Sequence, residues 1–120
     1  MGNWFDYNQS WLDEMNTNSN IYMIRYEDLL DDTEASILKL LKDFFKIYDI
    51  DREHLKNVIN EFSFENQSRR KKGEENKNSF LRKGIKGDWK NYFGVKEREL
   101  FKQYTNDLLV RLNYEKDNNW

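Results

Sequence analysis

One short apolar run constrains this chain more than any other feature. Ile21-Tyr22-Met23-Ile24 follows the cluster Asn16 to Asn20, whose Asn and Ser side chains bond to nearby backbone and favour turns. A continuous apolar run of this length after a turn reads as a strand over residues 21–25, buried on both faces as in a parallel sheet. Such a strand needs ladder partners for its N–H and C=O groups. No second convincing strand occurs in the 120 residues. Either the remaining strands of an α/β fold come from another chain or segment, or the run is not a strand.

The rest of the periodic sequence is helical. Trp4, Phe5, Trp11, Leu12 and Met15 form one stripe and predict a helix over residues 3–15. A capping pattern at Asp31 to Glu34, with Asp32 and Thr33 as alternative caps, opens a helix over about 33–46, with Ile37, Leu38, Leu41, Phe44 and Phe45 on its apolar face. Asp51 can cap a helix over 51–62 that carries Leu55, Val58, Ile59 and Phe62. Leu100, Phe101, Tyr104, Leu108 and Leu112 mark a helix over 96–113, and the polar tail Glu115 to Trp120 is expected to fray.

A chain of this length makes one domain at most, and we read residues 1–120 as part of one. Only 38% of its residues are hydrophobic and 35% are charged, yet 16% aromatics supply more buriable surface than disordered segments have. The absence of cysteine excludes disulfides and thiolate metal sites and suits a reducing cytosol. No apolar run approaches the ~20 residues of a membrane helix, and no signal-peptide h-region opens the sequence. These features read as a soluble, cytoplasmic chain without a membrane partner or a metal site.

Charge is distributed unevenly. The net charge of −2 is too close to neutrality for a general nucleic-acid binder. Between Ser68 and Lys90, however, nine basic residues face three acids, so this segment carries +6 and the remainder −8. The stretch from about Gln67 to Trp89 also lacks an apolar period. Loops of ~15 residues or more in compact domains are usually functional or disordered. A basic segment on an acidic body points to a local anionic ligand, held by a loop over residues 67–90.

The loop ends in Phe80-Leu81-Arg82-Lys83-Gly84-Ile85-Lys86-Gly87-Asp88-Trp89-Lys90. Adjacent Arg and Lys supply a forked donor and a mobile point charge, a good pair for a phosphate monoester. Flanking glycines let main-chain N–H groups approach an anion. Phe80 is suited to cover a flat base, and Trp89 to anchor the loop's exit. On chemistry alone this is either a phosphate-gripping loop or a solvated basic loop.

Arg82-Lys83-Gly84-x-x-Gly87-Asp88-Trp89-Lys90, completed by Phe93, resembles the RKGxxGDWKxxF signature of cytosolic-type sulfotransferases that use 3'-phosphoadenylyl sulfate (PAPS). Trp4 and Trp11, followed by Ile21 to Leu29, resemble that family's paired-Trp helix and its strand ending in a YEDL element. Phe62-Ser63-Phe64-Glu65-Asn66 is similar to its (T/S)SFxxM segment, and Lys90-x-x-x-Gly94-Val95-x-x-x-Glu99 to its KxxxTVxxxE dimerisation motif. Gln67 replaces the Met of the former and Gly94 the Thr of the latter.

The resemblance implies the C-terminal portion of a P-loop-like parallel-sheet fold, mostly helical here with one buried strand and a long basic loop. It also implies the transfer of a sulfuryl group to a hydroxyl or amine. Tyr26 and Phe64 would lie against the adenine of PAPS or of its product adenosine 3',5'-bisphosphate (PAP), with Ser63 near the ring. Arg82, Lys83 and Gly84 would hold the 3'-phosphate, with Phe80 and Leu81 beside the base. A homodimer through Lys90, Val95 and Glu99 would follow from the last motif.

In-line sulfuryl transfer needs a base for the acceptor, donors for the leaving 5'-phosphate, and alignment of all three. The family's Lys-containing phosphate loop, His base and Arg/Ser pair all precede the matched region. Nothing similar occurs in this sequence. The one histidine, His54, flanks the stripe of Leu55, Val58 and Ile59 and reads as structural. No catalytic residue is assigned, and the chain alone is expected to be inactive without an N-terminal half. The alternatives are a nucleotide-binding module without chemistry, or an anion or nucleic-acid binder using Arg69 to Lys72. The last predicts a steep salt dependence and indifference to a 3'-phosphate, and the run Arg69 to Lys72 is more simply a solvated face.

Overall fold

Helix starts are set by short polar side chains along most of the chain. The computed structural model describes residues 2–120. Asn3 opens α1 (Trp4–Met15), accepting the Asp6 amide at 2.9 Å while Asp6 reaches back to the Asn3 amide, a reciprocal satisfaction of two orphan donors. Asp32 caps α3 (Thr33–Asp43) through the Ala35 amide at 2.9 Å. Asp51 caps α4 (Arg52–Glu61) through the His54 amide at the same distance. Ser63 caps α5 (Phe64–Ser68), accepting from the Asn66 amide. Between the first two of these helices lies α2 (Tyr26–Asp31). A 3-10 turn (Asp88–Asn91), α6 (Val95–Thr105) and α7 (Leu108–Arg111) complete the order.

The strand expected over residues 21–25 does not form. All regular structure among the described residues is helical. The Ile21 amide turns back to the Asn18 carbonyl, Arg25 is extended at the mouth of α2, and Met23 and Ile24 are each 37% exposed. The cause is the one raised by the sequence: no second extended segment offers a ladder, so the run stays unpaired and is not buried.

The chain divides into two units, residues 2–21 with Asp88–Trp120, and Tyr22–Gly87. The first has a small leucine core. Leu12, Leu108 and Leu112 are buried, with Phe5 and Met15 packed on them. The helix expected over 96–113 is two helices instead. Asn106 takes φ 48° and ψ −119° between α6 and α7, a first-corner type II′ turn conformation dominated by Gly, Asn and Asp. Buried Thr105 donates its hydroxyl to the Phe101 carbonyl at 2.9 Å. The break separates two sets of side chains that a continuous helix would keep on one stripe. Leu108 is fully buried, whereas Leu100 and Tyr104 are 58% and 64% exposed.

Aromatic rings extend this unit beyond its leucines. Trp89 meets Phe93 and Trp120, and Phe101 meets Trp4, Phe93 and Trp120, all with centroids 5.7–6.3 Å apart. The tail expected to fray therefore ends on a ring held among others. Trp4, Phe5, Phe93, Leu100 and Phe101 also line an apolar cavity of about 330 Å³. Arg111 donates to Asp13 at 2.8 Å, and with Gln9 it holds the Asp13 carboxyl below the ordinary aspartate range.

The second unit is held differently. Glu34, in the first turn of α3, accepts Arg52 and pairs with Lys56, both on α4. Tyr22 and Phe44 lie 5.7 Å apart, and Lys46 turns the chain after α3 with a positive φ of 58°. No side chain from Tyr22 to Gly87 is fully buried, and Phe45, Tyr48 and Phe62 are more than half exposed.

Cutting Leu108 to Ala should lower the urea-unfolding free energy by about 2–4 kcal/mol, the cost of a cavity at a closed site. Leu100→Ala, at an open site, should cost under about 0.5 kcal/mol. Equal losses would contradict the break at Asn106.

Candidate functional site

The sequence-selected residues fall on three pieces of the Tyr22–Gly87 unit: the start of α2, the start of α5, and the loop that follows α5. Arg69 ends α5 in the left-handed region, φ 57° and ψ 28°, which turns the chain sharply. Arg70 then points inward. Its Nη1 donates to the carbonyls of Glu74 at 2.6 Å and Arg82 at 3.0 Å, and its Nη2 donates to the carbonyl of Leu81. Its guanidinium carbon stands 5.4 Å from the centroid of the Phe64 ring, within the range where a cation is attracted to an aromatic face.

Main-chain bonds close the loop across the same interval. The Gly73 amide donates to Lys83 and the Asn76 amide to Arg82, each at 2.9 Å. The stretch without apolar period is thus an ordered loop, built on main-chain bonds and one guanidinium instead of on a hydrophobic face.

Gly84 is where this loop meets α5. It sits at φ +66°, and a Cβ there would lie 2.6 Å from the Phe64 ring. Both facts exclude other residues: the backbone region is costly for an L side chain and the space is filled. Phe64 therefore touches both Gly84 and Arg70. Ser63 lies one residue earlier, with its hydroxyl engaged in capping α5.

Arg82 and Lys83 lie at the end of the loop. Arg82 Nε donates to Glu75 Oε1 at 2.6 Å, with the Arg82 side chain 52% exposed and that of Glu75 25% exposed. Lys83 is half-buried. Leu81 is half-buried as well, while Phe80 is fully exposed and its ring meets no other among the described residues. Tyr26 stands 53% exposed at the first position of α2. The structure thus brings Ser63, Phe64, Leu81, Arg82, Lys83 and Gly84 into one loop-and-helix cluster. Phe80 projects away from it.

Alpha 2 is linked to the loop's end by charge. Lys86 pairs with Asp31 at the last position of α2. Arg25 holds Asp28 through Nε at 2.9 Å, and this guanidinium keeps the Asp28 carboxyl below the ordinary aspartate range. No group of three or more acids and histidines able to hold a metal ion occurs among the described residues. No helix among them is long and apolar enough to cross a membrane.

Two contributors were missed by the sequence reading. Arg70 belongs to the run Arg69 to Lys72, which reads as a solvated face, and nothing local distinguishes it from its neighbours. Gln67 was noted for what it replaces. Its amide donates to the Glu61 carbonyl at 2.9 Å, and Asn66 donates to the Asn60 carbonyl, so α5 satisfies the last carbonyls of α4.

A family model described as "Sulfotransferase domain" matches residues 1–113, and the chain belongs to the sulfotransferase family. It is 34% identical to human sulfotransferase 1C2 over 83% of its own length and 36% of that protein's. It is 29% identical to sulfotransferase 2A1 of Macaca fascicularis, over 92% of its length and 41% of that protein's. The rabbit (Oryctolagus cuniculus) amine sulfotransferase is 32% identical over 82% and 36% of the two chains. Among solved structures, mouse sulfotransferase SULT7A1 complexed with PAP superposes with a TM-score of 0.68, at 26% identity, over 92% of this chain and 42% of that one. The chain therefore spans about two fifths of the length of the curated relatives it matches.

The two glycines of the signature give a paired prediction. Gly87 also has a positive φ, +72°, but open space where a Cβ would go. Gly87→Ala should cost about 1 kcal/mol from its backbone alone. Gly84→Ala should cost clearly more and also accelerate amide hydrogen exchange at Gly73 and Asn76. Equal effects from the two substitutions would show that the Phe64 contact does not hold the loop.

Proposed function

We propose that the chain is the C-terminal nucleotide-binding portion of a PAPS-dependent sulfotransferase. The enzyme transfers a sulfuryl group to a hydroxyl or amine and needs an N-terminal half for activity. The observation that carries this reading is the Arg82-Lys83-Gly84 turn, held against Phe64 by Gly84 and fixed from behind by Arg70. The turn puts a fork of donors and a second cation next to a close backbone approach, the chemistry of a phosphate-monoester seat. Membership of the family supports the same ligand, as does the likeness to a sulfotransferase complexed with PAP.

In this reading Arg82 and Lys83 bind the 3'-phosphate of PAPS, and the Gly84 amide lies beside it. Ser63, Phe64 and Tyr26 border the adenosine, with Leu81 and Phe80 at its edge. Phe80 is fully exposed, so its ring has a free face for the base. These residues bind and orient. The base for the acceptor and the donors for the leaving 5'-phosphate belong to the N-terminal half. Exposed apolar side chains support that division: the Tyr22–Gly87 unit lacks a fully buried residue and presents Phe45, Ile47, Tyr48 and Phe62 to solvent, surface that folded proteins normally cover. The cytoplasmic setting inferred from the cysteine-free sequence belongs to the same proposal. So does a homodimer through Lys90, Val95 and Glu99, for which the support is that Val95 is 80% exposed.

Isothermal titration of the chain with PAP and with 5'-AMP tests the reading. PAP should bind more tightly, and Arg82→Ala should weaken it by about 2 kcal/mol, the loss of a charge-assisted contact. Affinity that is equal for the two nucleotides, or unchanged by Arg82→Ala, would remove the loop from nucleotide binding.

A further inference from the structure

The guanidinium assigned to the phosphate is already engaged by a carboxylate of the same loop. We propose that Glu75 is an internal competitor that sets the affinity of the anion seat, holding Arg82 until a phosphate displaces it. The proposal rests on the nucleotide reading above and concerns how that site is regulated.

The pair is placed by the backbone. Arg82 Nε stands 2.6 Å from Glu75 Oε1. The next residue along from Glu75, Asn76, donates its amide to the Arg82 carbonyl at 2.9 Å. Arg70 bonds through one nitrogen to the carbonyls of Glu74 and Arg82 together, the residue before Glu75 and the partner itself. One main-chain bond and the Arg70 bridge therefore fix the separation of the two positions on both sides of the contact. Exposed ion pairs contribute little mainly because two long side chains must be immobilised and because water screens them. Here the backbone has done part of the ordering, and the Glu75 side chain is only 25% exposed.

A carboxylate and a phosphate monoester compete for the same donors. The carboxylate brings one charge and two oxygens, whereas a phosphate monoester near neutral pH brings close to two charges and three strong acceptor oxygens. A phosphate dianion offers the Arg82 guanidinium more charge than Glu75 does and can displace it. Glu75 would thereby lower the affinity of any ligand that seats a phosphate on Arg82 by one common factor, the fraction of the guanidinium left free, and leave a nucleotide without a 3'-phosphate unaffected. The adjacent acid is differently used: Glu74 Oε2 accepts the Lys71 amide at 3.2 Å.

Titration of PAP into the wild-type chain, Glu75→Gln and Glu74→Gln separates the possibilities. Glu75→Gln should tighten PAP about 3- to 5-fold, the upper end of what an exposed ion pair with a pre-set geometry contributes. Glu74→Gln changes net charge equally and should tighten it less than about 2-fold. In an Arg82→Ala background Glu75→Gln should have no effect, and 5'-AMP should bind Glu75→Gln and wild type alike. Glu75→Asp, which keeps the charge but shortens the reach, should fall between and guards against a folding defect in the Gln variant. If wild type binds PAP and Glu75→Gln binds it no better, the competitor is overturned and the nucleotide reading stands. If neither binds PAP, the nucleotide reading itself fails and takes the competitor with it.

Discussion

Inward-facing carbonyls of Glu74, Leu81 and Arg82 converge on one guanidinium, that of Arg70, whose carbon also lies over Phe64. A loop of this length without an apolar stripe has little hydrophobic burial to offset its ordering entropy. A carbonyl withdrawn from water, as at half-buried Leu81, is costly unless bonded, and a planar fork of donors can satisfy several carbonyls at once where a lysine would serve as a point charge. The arrangement of Arg82, Lys83 and Gly84 depends on that contact. Gly84 depends on it in turn, because Phe64 fills the space where any other residue would place its Cβ.

The two units draw on different sources of stability. The residues around α1, α6 and α7 have a leucine core and a run of ring contacts. The Tyr22–Gly87 unit is organised by caps, ion pairs and loop hydrogen bonds, with its larger apolar side chains left partly in solvent. Hydrogen bonds and exposed ion pairs give a net stabilisation of about 1 kcal/mol or less each, so such a unit has little reserve until its apolar faces are covered. The unpaired run at residues 21–25 is the backbone counterpart of the same deficit.

Much of the local structure was legible in the sequence. Asp51 caps the helix it precedes, and Asp32, the alternative to Asp31 in the sequence, caps α3 while Asp31 closes α2. In both caps a short carboxylate reaches the amide three residues on, a purely local event. Helical periodicity located α1, α3 and α4 for similar reasons. The break at Asn106 was not legible. The stripe Leu100, Tyr104, Leu108 continues through it unbroken, and the two halves are told apart by the Asn106 backbone and by the burial of Leu108 beside Leu12. The strand was read from a pattern whose outcome depends on partners that this chain does not supply. In the site, the RKGxxG signature pointed to the loop, but the inward turn of Arg70, the capping work of Gln67 and the hold of Glu75 on Arg82 are contacts between positions that sequence spacing does not relate. The resemblance rests on the signature residues themselves, whereas these positions hold them in place.

In the proposed function, this loop holds a phosphate on the ribose 3' position. Phosphorus-31 NMR of PAP in the presence of the chain tests it most directly, because the molecule carries two phosphates and reports on each separately. Binding at the Arg82-Lys83-Gly84 turn predicts that the 3'-phosphate resonance shifts and broadens, with the 5'-phosphate much less affected. A perturbation confined to the 5'-phosphate, or none at either, would contradict the account.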